Sequence, residues 1–162
     1  MPTYATATAV STDRSLEEIR RTLRRWDADQ FAYAEAGDKA MVAFTLRGRQ
    51  VRLVIPLPDR ESKEFKLTNH DPPRRRTVNQ QMDAYEQAVR QRWRALALVI
   101  KAKLEAVEAG ISTFENEFLA NILLPGGQTV GDSVHDDIAY AYETNTVPAL
   151  LPGLKAIESH SE

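Results

Sequence analysis

An apolar residue recurs every three or four positions across about thirty residues in the middle of this chain. The positions are Val78, Met82, Tyr85, Val89, Trp93, Leu96, Ile100, Leu104 and Val107. Their mean spacing is close to the 3.6 residues of an α-helical turn, so the pattern predicts one straight helix over this segment. Residues 95–100 are apolar on every side. We expect that turn to be covered twice, by a sheet and by either the C-terminal tail or a second protomer.

The segments before and after this helix predict a mixed fold. Ser15 and Glu18 form a capping-box pattern ahead of an amphipathic stretch over residues 16–27. Alternating segments at residues 31–36, 41–46 and 50–57 predict an antiparallel meander, and a polar connection follows over residues 59–76. Gly110 is expected to end or bend the long helix, and a last helix is expected over residues 133–143. The fold class predicted is α+β: an N-terminal helix, a three-stranded antiparallel meander, a long central helix and a shorter helical C-terminal region.

Length and composition favour a single domain. The chain has 162 residues, of which 43% are hydrophobic and 27% charged, as in ordinary globular proteins. We predict a flexible N-terminus at 1–14, one domain at 15–153 and a flexible tail at 154–162, with the extended apolar residues 147–153 packed onto the body. The chain contains no cysteine, which excludes disulfides and a thiol nucleophile. Without a signal-peptide pattern or an apolar run long enough to span a membrane, it is predicted to be cytoplasmic.

Charge is distributed unevenly along the sequence. Twenty of the 21 Lys and Arg residues lie between Arg14 and Lys103, where they outnumber acids by eight. Residues 104–162 hold ten acids and a single base, Lys155. Clustered cations are typical of proteins that bind polyanions, usually nucleic acids, because they displace the counterions of phosphates. The alternative is internal neutralisation, in which the acidic part covers the basic part of the same chain or of a neighbouring subunit.

Nine basic residues are the candidates for nucleic-acid binding. On an ideal helix Arg90, Arg94 and Lys101 fall within about 40° of one another, and Arg92 and Lys103 lie on the other side of the apolar stripe. The remaining candidates precede the helix or lie on the predicted hairpin: Arg74, Arg75, Arg76, Arg47, Arg49 and Arg52. We predict that hairpin and helix form a groove for a sugar–phosphate backbone. Alternatively, Arg90 and Arg94 pair with Asp83, Glu86 or the acidic tail.

No pattern in the sequence predicts an enzyme. His70, His135 and His160 lack the mutual spacing of a metal site. Asp59 and Glu61 are separated by one residue, unlike the carboxylates of metal-dependent nucleases. No glycine-rich phosphate loop follows a strand. We therefore predict no catalytic residue, no metal and no cofactor.

The residues from Arg92 to Glu108, the following Gly110-Ile111, residues 114–119 and residues 124–131 carry a resemblance. The chain resembles small proteins encoded widely in tailed bacteriophages and prophages, over roughly residues 15–153. The order of helix, meander and long basic helix is also similar in topology to phage single-strand annealing proteins. That topological similarity implies assembly into rings or filaments and DNA binding in a basic groove. The resemblance to small phage proteins carries no catalytic residues.

Charge and resemblance together predict a function in DNA metabolism. The leading hypothesis is a phage single-stranded DNA-binding and annealing protein that acts in replication or recombination and forms a homo-oligomer in the bacterial host cytoplasm. The alternative is a non-enzymatic phage interaction protein, either an inhibitor of a host defence system or an accessory protein, whose partner is a host protein. Neither hypothesis involves a membrane.

Overall fold

Two helices packed on one three-stranded sheet form the body of the protein. The structure, a computed structural model, describes the backbone of residues 3–147 and the side chains of residues 12–147. In chain order the elements are α1 (Thr3–Arg25), β1 (Gln30–Ala36), β2 (Lys39–Leu46), β3 (Arg49–Pro56), α2 (Lys63–Lys66), α3 (Val78–Glu108), α4 (Phe114–Phe118), a 3-10 turn (Leu119–Asn121) and α5 (Val130–Thr144). This is the predicted α+β architecture, with its elements in the predicted order.

The sheet is an antiparallel meander with the order β1-β2-β3. Val42 of β2 pairs with Tyr33 of β1 and with Leu53 of β3. Alternate residues of the two longer strands are buried: Ala40, Val42, Phe44, Leu46, Val51, Leu53 and Ile55. Arg52 lies on the opposite face, as expected from the two-residue period of a strand. The predicted alternation is therefore confirmed.

Helix α1 is longer than the sequence analysis predicts. It begins at Thr3, and Ser15, the predicted N-cap, lies inside it. Residues 3–14, assigned above to a flexible N-terminus, belong to this helix, so the predicted helix start at residue 16 is wrong, while the flexibility of the segment stays a prediction. The segment contains several alanines, the residue with the highest helix propensity. A capping pattern marks where a helix could start, but it does not prevent a helix from continuing through it.

Helix α3 confirms the prediction from periodicity. It has 31 residues, Val78–Glu108, and starts with a capping box between Thr77 and Gln80. Gly110, two residues after the helix ends, has a φ of 70°, a backbone conformation that glycine adopts without a steric penalty. With a rise of 1.5 Å per residue the helix is about 45 Å long.

Helices α1 and α3 cover the same face of the sheet and run in the same direction. Leu16 and Val89 line one cavity, and nine residues further along α1, Arg25 contacts Glu108 near the end of α3 with an N–O distance of 3.9 Å. Trp93 of α3 is fully buried between these layers. The body is therefore a two-layer α/β packing with one hydrophobic core.

The connection over residues 59–76 is folded. It contains the short helix α2, whose Phe65 is buried and packs edge-on against Tyr85 with ring centroids 5.6 Å apart. An isolated β-bridge joins Leu67 to Arg75. This connection is thereby attached to the first turns of α3.

The C-terminal part is attached along β3. Phe118 of α4 is buried and meets Phe44 of β2 edge-on, with centroids 5.7 Å apart. Ile122 then bridges Val51, and the Leu123 amide donates to the Gln50 carbonyl over 2.8 Å. Helix α5 begins at Val130, earlier than predicted, because Thr129 caps it. Val147, the one described residue of the segment predicted to pack onto the body, is 95% exposed. Residues 148–153 and the predicted flexible tail at 154–162 lie outside the described residues.

Candidate nucleic-acid interface

One flank of α3 carries three predicted contact residues, here called the α3 basic flank: Arg90, Arg94 and Lys101. On a regular helix they lie about 60° to 100° from the buried Trp93. This flank faces α1, because Glu108 lies on the same side of the helix and contacts Arg25. The structure thus brings these three residues together beside a second helix.

Helix α1 adds cations that the site prediction omitted. Arg14, Arg21 and Arg25 are exposed and lie within about 40° of one another on an ideal helix, away from the buried Leu16 and Ile19. We call these three residues together with the α3 basic flank the helix-layer surface. The periodicity of residues 16–27 already indicated that Arg21 and Arg25 face away from the core, whereas Arg14 precedes that segment.

Acids lie among the six cations of the helix-layer surface. On ideal helices Glu18 shares the face of Arg14 and Arg21, and Asp83, Glu86, Glu105 and Glu108 lie on or beside the α3 basic flank. Within residues 12–147, two of these acids contact a cation of this surface at 4.0 Å or less. Arg90 contacts Glu86 one turn before it, with Nη1 and Oε2 3.8 Å apart. Arg25 has the long contact to Glu108 described above, between side chains that are both more than half exposed. Exposed pairs of this kind contribute little energy. Arg94 and Lys101 are exposed and have no carboxylate oxygen within 4.0 Å among residues 12–147.

The hairpin arginines have different surroundings. Arg47 and Arg49 flank Gly48 at the tip between β2 and β3 and are exposed. Arg52 lies on the outer face of the sheet, where its Nη2 is 3.3 Å from Oδ2 of Asp132 in α5. Here the alternative of internal neutralisation holds.

Asp132 is held in its ionised form by several donors. The Thr129 side chain and the Thr129 backbone amide lower the pKa of Asp132 most, and Arg52 lowers it further. The same carboxylate completes the capping box of α5. Asp132 therefore has two structural roles: it caps α5 and it neutralises Arg52.

The arginines before α3 form a third location. Arg76 donates to the Glu64 carbonyl over 2.8 Å, and Arg74 and Arg75 are exposed. These residues adjoin the end of the sheet where β3 finishes, whereas Arg47 and Arg49 lie where it starts. Eight strand residues span about 25 Å. A strand of nucleic acid that contacts both groups must therefore run the length of the sheet.

Neutralisation between the basic and acidic parts of the chain is partial. Three ion pairs cross from residues 14–103 to residues 104–147: Arg25–Glu108, Arg52–Asp132 and Lys103–Glu117. Of the nine predicted contact residues, only Arg52 takes part in such a pair within the described residues. The acidic part thus engages the outer sheet and the far flank of α3 more than the helix-layer surface.

The outward side of α3 is apolar in its middle turns. Leu98 is 52% and Val99 45% exposed, and Ala95 and Ala102 beside them are also exposed. The predicted second cover over residues 95–100 is not supplied by any residue from 12 to 147, and it stays a prediction. The apolar strip lies between Arg92 on one side and the α3 basic flank on the other.

In the part of the chain that the structure describes, no three His, Asp or Glu side chains are grouped as ligands for a metal ion. No helix in that part combines the length and the apolar composition needed to cross a membrane. Comparisons with protein-family models, with curated proteins and with solved structures find no match to this chain. The resemblance to phage proteins therefore stays a prediction.

Proposed function

We propose that this protein binds single-stranded DNA through its phosphates on the helix-layer surface and acts in phage replication or recombination, where strand annealing is the expected outcome. The observation that carries the proposal is the exposure of Arg94 and Lys101 beside Arg14 and Arg21, with no carboxylate of residues 12–147 in contact. The phage setting is taken from the sequence resemblance.

Single-stranded DNA fits this surface better than a duplex for a physical reason. Exposed guanidinium and ammonium groups gain binding free energy by releasing the counterions of phosphates. The strip of Leu98 and Val99 next to them offers an apolar surface. Unstacked bases have faces that can be buried there, whereas a duplex presents only phosphates and groove edges.

The test is fluorescence anisotropy with a labelled oligothymidine over a range of salt concentrations. The variant Arg94→Gln/Lys101→Gln should bind about tenfold more weakly at low salt, and the slope of log affinity against log salt should fall by about 1.4, since each lost phosphate contact accounts for about 0.7. The matched control, Lys39→Gln/Lys63→Gln, removes the same charge from exposed positions elsewhere. Equal losses in the two variants, or binding that does not respond to salt, would contradict the proposal.

A second function, a non-enzymatic interaction protein, is favoured by α5. Ile138 is 45%, Tyr140 54% and Tyr142 88% exposed. Ile138 and Tyr142 share one side of α5, whereas Tyr140 lies on the other side with the exposed Asp136 and Glu143. Exposed apolar side chains grouped on one helix are typical of protein contacts. A gel shift beside size-exclusion chromatography separates the two functions. If the protein co-elutes with a purified host partner and gives no DNA shift, the interaction protein is the better assignment.

A further inference from the structure

An open cavity of about 470 Å³ lies between α1, the first turns of α3 and the ends of β1 and β3. Its apolar wall consists of Leu16, Leu57, Met82 and Val89, and its aromatic wall consists of Tyr33 and Tyr85. This volume is within the range of cavities that hold small organic ligands. None of the predicted contact residues lines it.

A buried carboxylate faces this cavity. Glu86 is 8% exposed and belongs to the cavity lining. Its only ion-pair partner among residues 12–147 is Arg90, at 3.8 Å, which is too long for a hydrogen bond. None of those residues donates a hydrogen bond to the Glu86 carboxylate. The Glu86 oxygens are not fully enclosed, so they open onto the cavity and can accept a hydrogen bond from a ligand.

The other ionisable side chains of the lining carry a net negative charge. Asp13 and Glu35 contribute two more carboxylates at the rim, both exposed. Among residues 12–147, the one cationic side chain in the lining is Arg60, whose guanidinium lies over the Tyr85 ring, 4.8 Å from its centroid. Three carboxylates against one guanidinium repel anions and attract cations.

We propose that this cavity binds an organic cation, an ammonium or guanidinium group on an apolar stem. The cationic group donates to the Glu86 carboxylate, and its stem packs on Leu16, Met82 and Val89. The ring of Tyr33, which is half exposed, adds a cation–π contact. The cation is either a small free molecule or the side chain of an Arg or Lys in another protein. The cation site does not depend on DNA binding, although Arg90 of the proposed DNA surface contacts Glu86.

Arg90 competes with a bound cation for the Glu86 carboxylate. It is the one side chain within ion-pair distance of Glu86 in the described residues, and it is itself one-third exposed. A ligand that takes the Glu86 carboxylate displaces Arg90. Removing Arg90 should therefore strengthen binding of the cation, whereas the same change should weaken binding of DNA.

The experiment is isothermal titration calorimetry of the full chain with n-butylguanidinium, with n-pentanol as the neutral analogue. We expect binding by the cation only. Glu86→Gln should weaken binding about tenfold, because a charged hydrogen bond is lost, and Arg90→Gln should strengthen it severalfold. Glu115→Gln, an exposed position on α4, is the matched control and should bind as the unchanged protein does.

Three results would overturn the proposal. They are equal binding of n-pentanol, unchanged affinity in a folded Glu86→Gln protein, and no heat of binding at about 50 mM cation, which would mean that water satisfies the carboxylate. If circular dichroism shows that Glu86→Gln is unfolded, the test is the cation affinity of Arg90→Gln: an increase supports the proposal, and no increase overturns it. A capped Ala-Arg-Ala peptide distinguishes the two sources: tighter binding than n-butylguanidinium indicates a protein side chain, and equal binding indicates a free molecule.

Discussion

The α3 basic flank and Arg52 lie on different faces of the body. Within the described residues, the acidic C-terminal part forms an ion pair with Arg52 and none with the α3 basic flank. Arg52 has a carboxylate of α5 at 3.3 Å. Arg94 and Lys101 have no such partner among residues 12–147 and are exposed. Both locations belong to the same basic stretch of sequence, so a charge count does not distinguish them. What distinguishes them is where the last third of the chain packs.

That packing follows from pairing along β3. Ile122 and Leu123 attach to Val51 and Gln50, and this places the start of α5, with Asp132, beside Arg52. Helix α4 similarly brings Glu117 to Lys103, 3.5 Å away. Both contacts lie on the β3 side of the body, while the helix-layer surface lies on the α1 side.

The largest effect is expected from loosening this attachment. Phe118→Ala removes a fully buried ring that contacts Phe44 and Phe114, and it should lower the free energy of unfolding by about 3–5 kcal/mol. Leu119→Ala, at a half-exposed neighbour, should cost much less. Urea denaturation followed by tryptophan fluorescence measures both. If Phe118→Ala unfolds like the unchanged protein, the acidic part is not integral to the core.

A smaller effect, on DNA affinity, should distinguish the α3 basic flank from Arg52. Arg94→Gln should weaken binding of single-stranded DNA severalfold, because an exposed cation is lost. Arg52→Gln removes the same charge from a side chain that Asp132 already neutralises, and its affinity should stay within about twofold. Anisotropy at one fixed salt concentration compares them. A larger loss for Arg52→Gln would reverse the assignment of the binding surface.

Releasing Arg52 should change stability more than DNA binding. Asp132→Asn removes its carboxylate partner, and the melting temperature should fall because the α5 capping box loses its ionised acceptor. DNA affinity should stay within about twofold, because Arg52 and the helix-layer surface lie on different faces. Asp136→Asn makes the same change in net charge on an exposed site of the same helix and should leave both quantities unchanged. A gain in affinity for Asp132→Asn alone would make Arg52 part of the binding surface.

The smallest expected effect is a change in the pKa of Asp132. The pKa of Asp132 is lowered in the folded protein, mainly by Thr129 and further by Arg52. A depressed pKa means that the unfolded chain binds more protons, so the stabilisation is present above the ordinary value of 3.8 and is lost as pH falls through the folded value. Carboxyl carbon NMR measures it. Arg52→Gln should raise this pKa, and Thr129→Ala should raise it more.

Local patterns were sufficient to predict most elements of the fold. The bounds of α3 and the alternation in β2 and β3 follow from periods that the sequence displays directly. The start of α1 was missed because residues 1–13 show no apolar period, while Ser15 and Glu18 have capping-box spacing. The start of α5 was missed although Thr129 and Asp132 have capping-box spacing.

The candidate site was less predictable, because it depends on contacts between distant parts of the chain. The pair Glu86–Arg90 is local and was one of the alternatives, since residues four apart are neighbours on a helix. The pair Arg52–Asp132 joins residues 80 positions apart, and no local pattern indicates it. The arrangement of α1 beside α3, which adds Arg14 and Arg21 to the surface, also depends on tertiary packing.

The shared direction of α1 and α3 gives the molecule an electrical polarity. Each helix carries partial positive charge where it starts and partial negative charge where it ends, and here both starts lie toward the same end of the body. Arg24 and Arg25 offset the negative end of α1, but the last turn of α3 contains no basic residue. An anion is therefore favoured within about one turn of the end where Arg74 and Arg75 precede α3. Turning either helix around would weaken that preference without changing the net charge.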